Sequence, residues 1–322
     1  MNEKTPIRSM TGATRTGAPL SLSRAPAKDL QPWLYWFSIA EGTLPDGYQA
    51  HCHLLDDHPC IRLLYGGVWT AETRDGHRVY DPGNHGITLF MGPQTKALPI
   101  SVTGSYTAIT LHFTAGGPQA LGGPQVPDML DRILDFDELT GDGRLTEKIP
   151  LSKGREKWLL ALEDIFRDIF VRSDTAPPSL LSHSFEKACL ANPGFAISEF
   201  ASDHNVTLRK LERQIKKDFG LSPKQVQRRA RAQDMAAILL GVALAEEEVE
   251  MRSRYFDQSH LIREIRYFFH QVPGNMERGD HPFLRLNMES RQSRRFDVLN
   301  ALGSDTHKAW RDPSAEPAQP IG

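Results

Sequence analysis

The sequence predicts an α+β protein. A β-rich, barrel-like N-terminal half carrying some helix is followed by an all-α half of two helix-turn-helix units joined by a linker helix. Three observations predict this. The chain has 322 residues, about twice a typical domain. Its apolar residues come in short runs bounded by turn residues as far as Phe113, then switch to a three- and four-residue period. Charge is also segregated: the whole chain carries a net of −2, yet Thr207 to Arg231 holds nine basic residues against Glu212 and Asp218, a local net of +7.

Residues 1–25 read as a disordered leader, polar and rich in Gly, Thr and Ser rather than basic and then apolar like a signal peptide. From about Gln31, the runs Ile61 to Tyr65, Gly86 to Phe90 and Tyr106 to Phe113 read as strands. They are punctuated by Pro45-Asp46-Gly47, Gly66-Gly67, Asp75-Gly76 and Asp81-Pro82-Gly83. Many short strands at that spacing predict a small barrel or sandwich. Gly116-Gly117-Pro118 and Gly122-Gly123-Pro124 are turns, too proline-rich to cradle a phosphate. Trp158, Leu159, Leu162, Ile165, Phe166 and Ile169 form one apolar stripe of a helix ending near Asp174. Residues 26–175 are therefore expected to form a β-rich sensing or dimerisation domain, and 176–184, with Pro177-Pro178, a linker. Residues 185–278 are expected to form a helical domain, and 279–322 a largely disordered tail that is polar and Arg-rich from Asn287 to Arg295.

Several function classes drop out. No run approaches the roughly 18 apolar residues of a membrane span. Cys52, Cys60 and Cys189 are an odd number without CxxC spacing, so neither a disulfide framework nor a zinc signature is present, and a cytoplasmic location suits them. G-x-S-x-G, P-loop and dinucleotide fingerprints are missing, so no catalytic residue is assigned.

Ile197 to Gly220 reads as helix, turn, helix. Ile197, Phe200 and Ala201 share one face of the first helix, and Asn205 suits a left-handed turn. Thr207 is a plausible N-cap, Leu211, Ile215 and Phe219 form the inner stripe of the second helix, and Gly220 stops it. Arg209, Lys210, Glu212 and Arg213 then face outward on its first turns, where a recognition helix meets base edges. Pro223 to Leu240 reads as a long helix. Tyr255 to Phe268 repeats the design, with Asp257 as N-cap, Leu261, Ile265 and Phe268 inside, and Gln258, Ser259, His260 and Arg263 outside. Two such helices on one rigid connector could enter successive major grooves about 34 Å apart.

The run Tyr255 to Phe268, followed by Gln271-Val272-Pro273-Gly274, resembles the second helix-turn-helix signature of the AraC/XylS family of transcription regulators. Thr207, Leu211, Arg213, Gly220, Ser222, Pro223 and Arg231 match its first unit and linker helix. The resemblance covers Phe185 to Glu277. It implies a seven-helix DNA-binding domain whose base-reading side chains are Arg209, Glu212, Arg213, Gln258, Ser259, His260 and Arg263. Thr207, Lys210, Lys217 and Arg266 stand with them on the DNA side, Lys217 as a phosphate contact. Gln31 to Phe37, Leu44 to Gly47 and Phe113 to Gly117 resemble, less specifically, the cupin-like N-terminal domain of many such regulators. The implied partners are double-stranded operator DNA, a small-molecule effector of unknown identity, RNA polymerase and a second copy of the chain, with no membrane and with the protein on the nucleoid.

The pattern has departures. Glu250 and Arg254 stand where the family has a small residue and a turn glycine, and His270 stands where a glycine usually ends the recognition helix. An arginine forced to positive φ would cost roughly 1 kcal/mol, and Glu246, Glu247, Glu248 and Glu250 would repel phosphate. The second unit is thus expected to be weakened and the first to supply most of the affinity. The alternative is a degenerate regulator acting as a small-molecule or protein-interaction module. His51-Cys52-His53, Asp56, Asp57 and His85 are spaced loosely like cupin metal ligands, but read more simply as surface loop residues, and no metal or other cofactor is expected. Trp33, Tyr35 and Trp36 read as core or interface rather than a ligand cage.

Overall fold

The computed structural model describes residues 8–9, 19–141, 143–174 and 176–303. The N-terminal half contains strands β1 (Arg8–Ser9), β2 (Leu20–Arg24), β3 (Leu34–Thr43), β4 (Gln49–Leu54), β5 (Cys60–Tyr65), β6 (Val68–Thr73), β7 (Gly76–Tyr80), β8 (Ile87–Met91), β9 (Leu98–Thr103), β10 (Tyr106–Phe113) and β11 (Ile133–Asp135). Helices α1 (Phe136–Thr140) and α2 (Arg155–Ser173) complete it. The second half is helical: α3 (Leu180–Ala191), α4 (Ile197–Asp203), α5 (Leu208–Phe219), α6 (Pro223–Leu239), α7 (Glu248–Ser253), α8 (Gln258–Phe269), α9 (Pro273–Arg278) and α10 (Pro282–Ala301).

All pairings are antiparallel. One sheet runs β1-β3-β10-β5-β8-β11 with β2 also on β3, and the other runs β4-β9-β6-β7. The two-residue period of a strand explains why the large sheet is buried on both faces. On β10, Ile109, Leu111 and Phe113 pack with Trp158, Leu162 and Phe166 of α2. The alternate residues Tyr106, Ala108, Thr110 and His112 face a cavity between the sheets and α10. The same alternation places Phe37 and Ile39 of β3 on the α2 side, and Trp36, Ser38 and Ala40 on the cavity side.

Three boundary expectations change. Residues 20–24 form a strand paired with β3 inside the expected leader, while 1–7 and 10–18 lie outside the described residues. The expected linker narrows because α3 begins at Leu180, where Ser182 is already fully buried. The largest change is α10. Pro282 sits at its first turn, and the helix runs twenty residues through the expected tail. Phe283, Leu284, Met288 and Phe296 join the apolar core, while Asn287, Arg291 and Arg294 bond to the N-terminal half. Residues 304–322 lie outside the described residues.

Candidate nucleic-acid interface

The first helix-turn-helix unit is built as its sequence predicts. Asn205 takes a left-handed φ of 52° in the turn after α4. The Thr207 hydroxyl accepts from the Lys210 amide at 3.2 Å and so caps α5. Leu211, Ile215 and Phe219 are buried, and Phe219 joins an aromatic cluster with Phe185, itself edge-on to Phe195 and Phe200. Gly220, at φ 74°, ends the helix, and Ser222 with Gln225 forms a capping box that starts α6. Arg209, Lys210, Glu212, Arg213, Lys216 and Lys217 are all exposed.

The second unit repeats this plan with other means. Asp257 accepts from the His260 amide at 2.6 Å, Leu261, Ile265 and Phe268 are buried, and His270 ends α8 at φ 56°. Gln258, Ser259, Arg263 and Arg266 are exposed. His260 is placed differently from its expected outward role. It is half-buried beside Tyr255, and its Nδ1 accepts from the Phe256 amide at 3.3 Å, so the ring closes the cap instead of reaching outward.

The departures that were expected to weaken this unit compensate one another. Arg254 lies at φ −72°, in ordinary helical space, so no glycine is needed there. Its guanidinium bonds Glu250 at 2.8 Å and Asp234 of α6 at 2.7 Å, and Asp234 is fully buried. Glu250 and Arg254 thus form an ion pair anchored on Asp234 of the linker helix. The acidic run is also engaged: Glu247 with Arg295, Glu248 with Arg252 and Glu250 with Arg254. The repulsion expected from four free carboxylates is reduced accordingly.

The basic patch needs a matching correction. Arg229, counted in the +7, is buried and donates to the carbonyls of Gln94 and Asp57 in the N-terminal half at 2.8 and 2.9 Å. Arg228 is bidentate on Glu264 of α8, with bonds of 2.6 and 2.8 Å, and stacks over Tyr267. The cations left on the surface of α5 are Arg209, Lys210, Arg213, Lys216 and Lys217, against Glu212. The spacing that makes a residue exposed on an isolated helix does not report whether a neighbouring domain covers it.

Sequence reading also missed the polar interface that fixes the two halves together. Asp57 accepts from Arg291 at 3.2 Å and from Arg294 at 3.1 Å, and Glu186 accepts from Arg294 at 2.9 Å and His58 at 3.0 Å. Burial alone would push both carboxyls up. The surrounding charges of Arg294 and His58 reverse this, holding Asp57 well below the usual carboxylate range and Glu186 down to about 2. Asp56 accepts from Asn287 at 2.6 Å. Asp56 and Asp57 are therefore interface residues, not the surface loop acids expected, while His53 sits across from His270 with ring centroids 6.2 Å apart. Tyr35 carries the Arg294 guanidinium on its face at 4.2 Å, and Trp33 stacks on Phe170 at 4.9 Å, which places this cluster in core and interface. The available signal was Pro282 followed by a long stretch free of Gly and Pro, a helix start with no stop.

The N-terminal half also touches both α5 and α8. The Ala97 amide donates to the Phe268 carbonyl of α8 at 2.6 Å, and Lys96 lies over Tyr267 at 4.2 Å. Under α5, Gln119 donates to Asp218 at 2.7 Å. Among the described residues no helix is long and apolar enough to cross a membrane, and no three His, Cys, Asp or Glu side chains converge on a metal position.

Residues 180–278 thus form two helix-turn-helix units joined by a linker helix, behind an antiparallel β domain. No protein-family model and no curated protein matches the chain. Among solved structures it is similar to ToxT from Vibrio cholerae with an unsaturated fatty acid bound, at 8% identity and a TM-score of 0.42, over 78% of this chain and 95% of that one. The C-terminal domain of AraT, a response regulator from Geobacillus stearothermophilus, is 20% identical over 32% of this chain and 88% of its own, with a TM-score of 0.28. The AraC-like transcriptional activator CuxR is 14% identical over 67% of this chain and 86% of its own, with a TM-score of 0.26.

Proposed function

We propose that the chain is a sequence-specific, AraC-type DNA-binding transcription regulator whose helices α5 and α8 enter the major groove, and whose N-terminal half modulates binding in response to a small molecule. The observation that carries this is the pair of recognition helices. Each has a side-chain N-cap, a buried stripe at three- and four-residue spacing, a left-handed C-cap and an exposed polar first turn, and both are mounted on α6. Modulation is supported by the contacts of the β domain with both helices, through Phe268 and Asp218. The compensation of Glu250 by Arg254 removes the motive for a degenerate second unit.

The test is a gel shift of the full chain against a library of native promoter fragments at several salt concentrations. Salt-sensitive binding to a subset of fragments is expected, and uniform binding or none would overturn the proposal. On a bound fragment, Arg213→Ala should cost about 1–3 kcal/mol and relax the choice of base at one position, while Lys217→Ala should weaken all fragments alike. Equal effects of the two changes would displace α5 from the groove.

A further inference from the structure

We propose that Phe256 is a specificity-determining residue of the second helix-turn-helix unit, and that its ring reads the methyl group of a thymine where α8 enters the major groove. The proposal rests on reading the chain as a sequence-specific DNA-binding regulator. It adds to the polar set of Gln258, Ser259 and Arg263 a residue that forms no hydrogen bond to a base.

Phe256 is 93% exposed, more than any other large apolar side chain among the described residues. An apolar residue just before a helix N-cap often packs on the first turns of that helix. In the first unit Val206 does this, partly buried against the cluster that contains Phe200, Leu211 and Ile215. In the second unit the inward place belongs to the residue one position earlier. Tyr255 is buried, and its hydroxyl donates to the Arg231 carbonyl of α6 at 3.0 Å. Phe256 is thereby left outside.

The backbone on either side of the ring is held. Before it, the Arg254 guanidinium bonds the buried Asp234 at 2.7 Å. After it, Asp257 accepts from the His260 amide at 2.6 Å, and the Phe256 amide itself donates to His260 Nδ1 at 3.3 Å. The ring is thus carried on the same fixed turn as Gln258 and Ser259, which are exposed at the start of α8.

The chemistry of the ring decides what it can meet there. It has no charge to neutralise a phosphate, and no donor or acceptor for the polar edge of a base. In the major groove the apolar group that a base pair presents is the methyl of thymine, and phenylalanine is among the side chains that pack on it. Arg263 and Arg266, exposed farther along the same helix, give this face the charge that draws DNA. Contacts from such cations to the phosphate backbone hold the duplex without regard to sequence, whereas a methyl contact selects a base. A protein partner would also suit a bare phenyl ring, but the turn shared with Gln258 and Ser259 and the cations beyond it favour DNA.

The experiment uses the full chain. A DNA fragment is selected from a random library, and each of its thymines is replaced in turn by deoxyuridine, which differs only in lacking the methyl. Gel shifts compare the parent, Phe256→Ala and Phe256→Leu proteins. In the parent, deoxyuridine at one position is expected to weaken binding about three- to five-fold, the worth of one buried methyl group. Phe256→Ala should weaken the thymine fragment by at least about three-fold and leave its salt dependence unchanged, because no phosphate contact is lost. It should also respond less than about 1.5-fold to deoxyuridine, since both changes remove one contact. Phe256→Leu, which keeps an apolar side chain, should keep part of the response. Thermal melts check that both variants fold, and the deoxyuridine series on the parent stands without them. A selected fragment with no methyl effect at any thymine would overturn the proposal and leave the regulator reading intact. A Phe256→Ala protein as sensitive to deoxyuridine as the parent would do the same. So would one that binds DNA like the parent but alters transcription by RNA polymerase, which assigns the ring to a protein partner. Failure to select any fragment overturns both readings.

Discussion

Helices α5 and α8 share a local grammar but differ in what holds them. Helix α5 rests on Asp218, a buried carboxylate satisfied by neutral donors: Ser182 Oγ at 2.5 Å, Gln119 Nε2 at 2.7 Å and Gln214 Nε2 at 2.7 Å. The second unit rests on Asp234, a buried carboxylate satisfied by two guanidiniums, Arg254 at 2.7 Å and Arg291 at 2.8 Å. Helix α5 keeps its cations on the surface, while around the second unit Asp234, Glu250 and Glu264 engage Arg254, Arg291 of α10 and Arg228 of α6 in internal pairs. The same helix-turn-helix can therefore be mounted by hydrogen bonds or by charge. Glu250 and Arg254, each unexpected taken alone, are explained by pairing with one another.

The sharpest way to break this comparison is to neutralise each aspartate. Asp234→Asn leaves Arg254 and Arg291 buried, with side chains 8% and 4% exposed, facing an amide. A loss of about 3–5 kcal/mol is expected in urea denaturation. Asp218→Asn leaves only neutral donors short of one acceptor, and a loss of about 1–2 kcal/mol is expected. If Asp218→Asn costs as much as Asp234→Asn, the two mountings are equivalent and the contrast is wrong.

A second test sharpens the contrast at the surface. Lys210, Lys216 and Lys217 are exposed on α5, whereas α8 exposes Arg263 and Arg266. Changing the three lysines to Ala should flatten the dependence of log K on log salt by about 0.9 for each phosphate no longer neutralised, and changing the two arginines should flatten it less. A larger effect from the arginines would make the second unit the electrostatic anchor.

How much of the molecule is legible in the sequence depends on whether the deciding force is local. Caps, stripes and stops are set within a few residues, so the sequence alone places Thr207, Asn205, Gly220 and Asp257. Strand runs such as Tyr106 to Phe113 are equally legible, since alternation is a two-residue signal. The fates of Arg228, Arg229, Arg254 and Arg291 are not, because each is decided by an acceptor 20 to 234 residues away in the chain. Helix α10 escapes for a related reason: Asn287, Glu289, Arg291 and Arg294 are buried beside Phe283, Leu284, Met288 and Phe296, so the apolar stripe by which sequence reveals a packed helix is interrupted.

The smallest expected effect compares the two C-caps. Gly220 at φ 74° and His270 at φ 56° both take the left-handed conformation that closes the helix before them, and each donates its amide to the carbonyl four residues before it. At Gly220 a Cβ would lie 2.8 Å from Leu130 Cδ2 of the N-terminal half, so Gly220→Ala adds a domain clash to the left-handed strain. A loss of at least about 1–2 kcal/mol is expected. His270 already carries that strain and is exposed. His270→Gly relieves about 1–2 kcal/mol of strain against roughly 0.4–1 kcal/mol of added freedom in the unfolded chain, for a net gain of up to about 1 kcal/mol. The measurement is the denaturation midpoint of each variant beside the parent at unchanged m-value. A loss of stability in His270→Gly would mean that the ring contributes more, through its stance opposite His53, than its backbone costs, and the second unit would then be tied to the β domain at its cap as well as through α10.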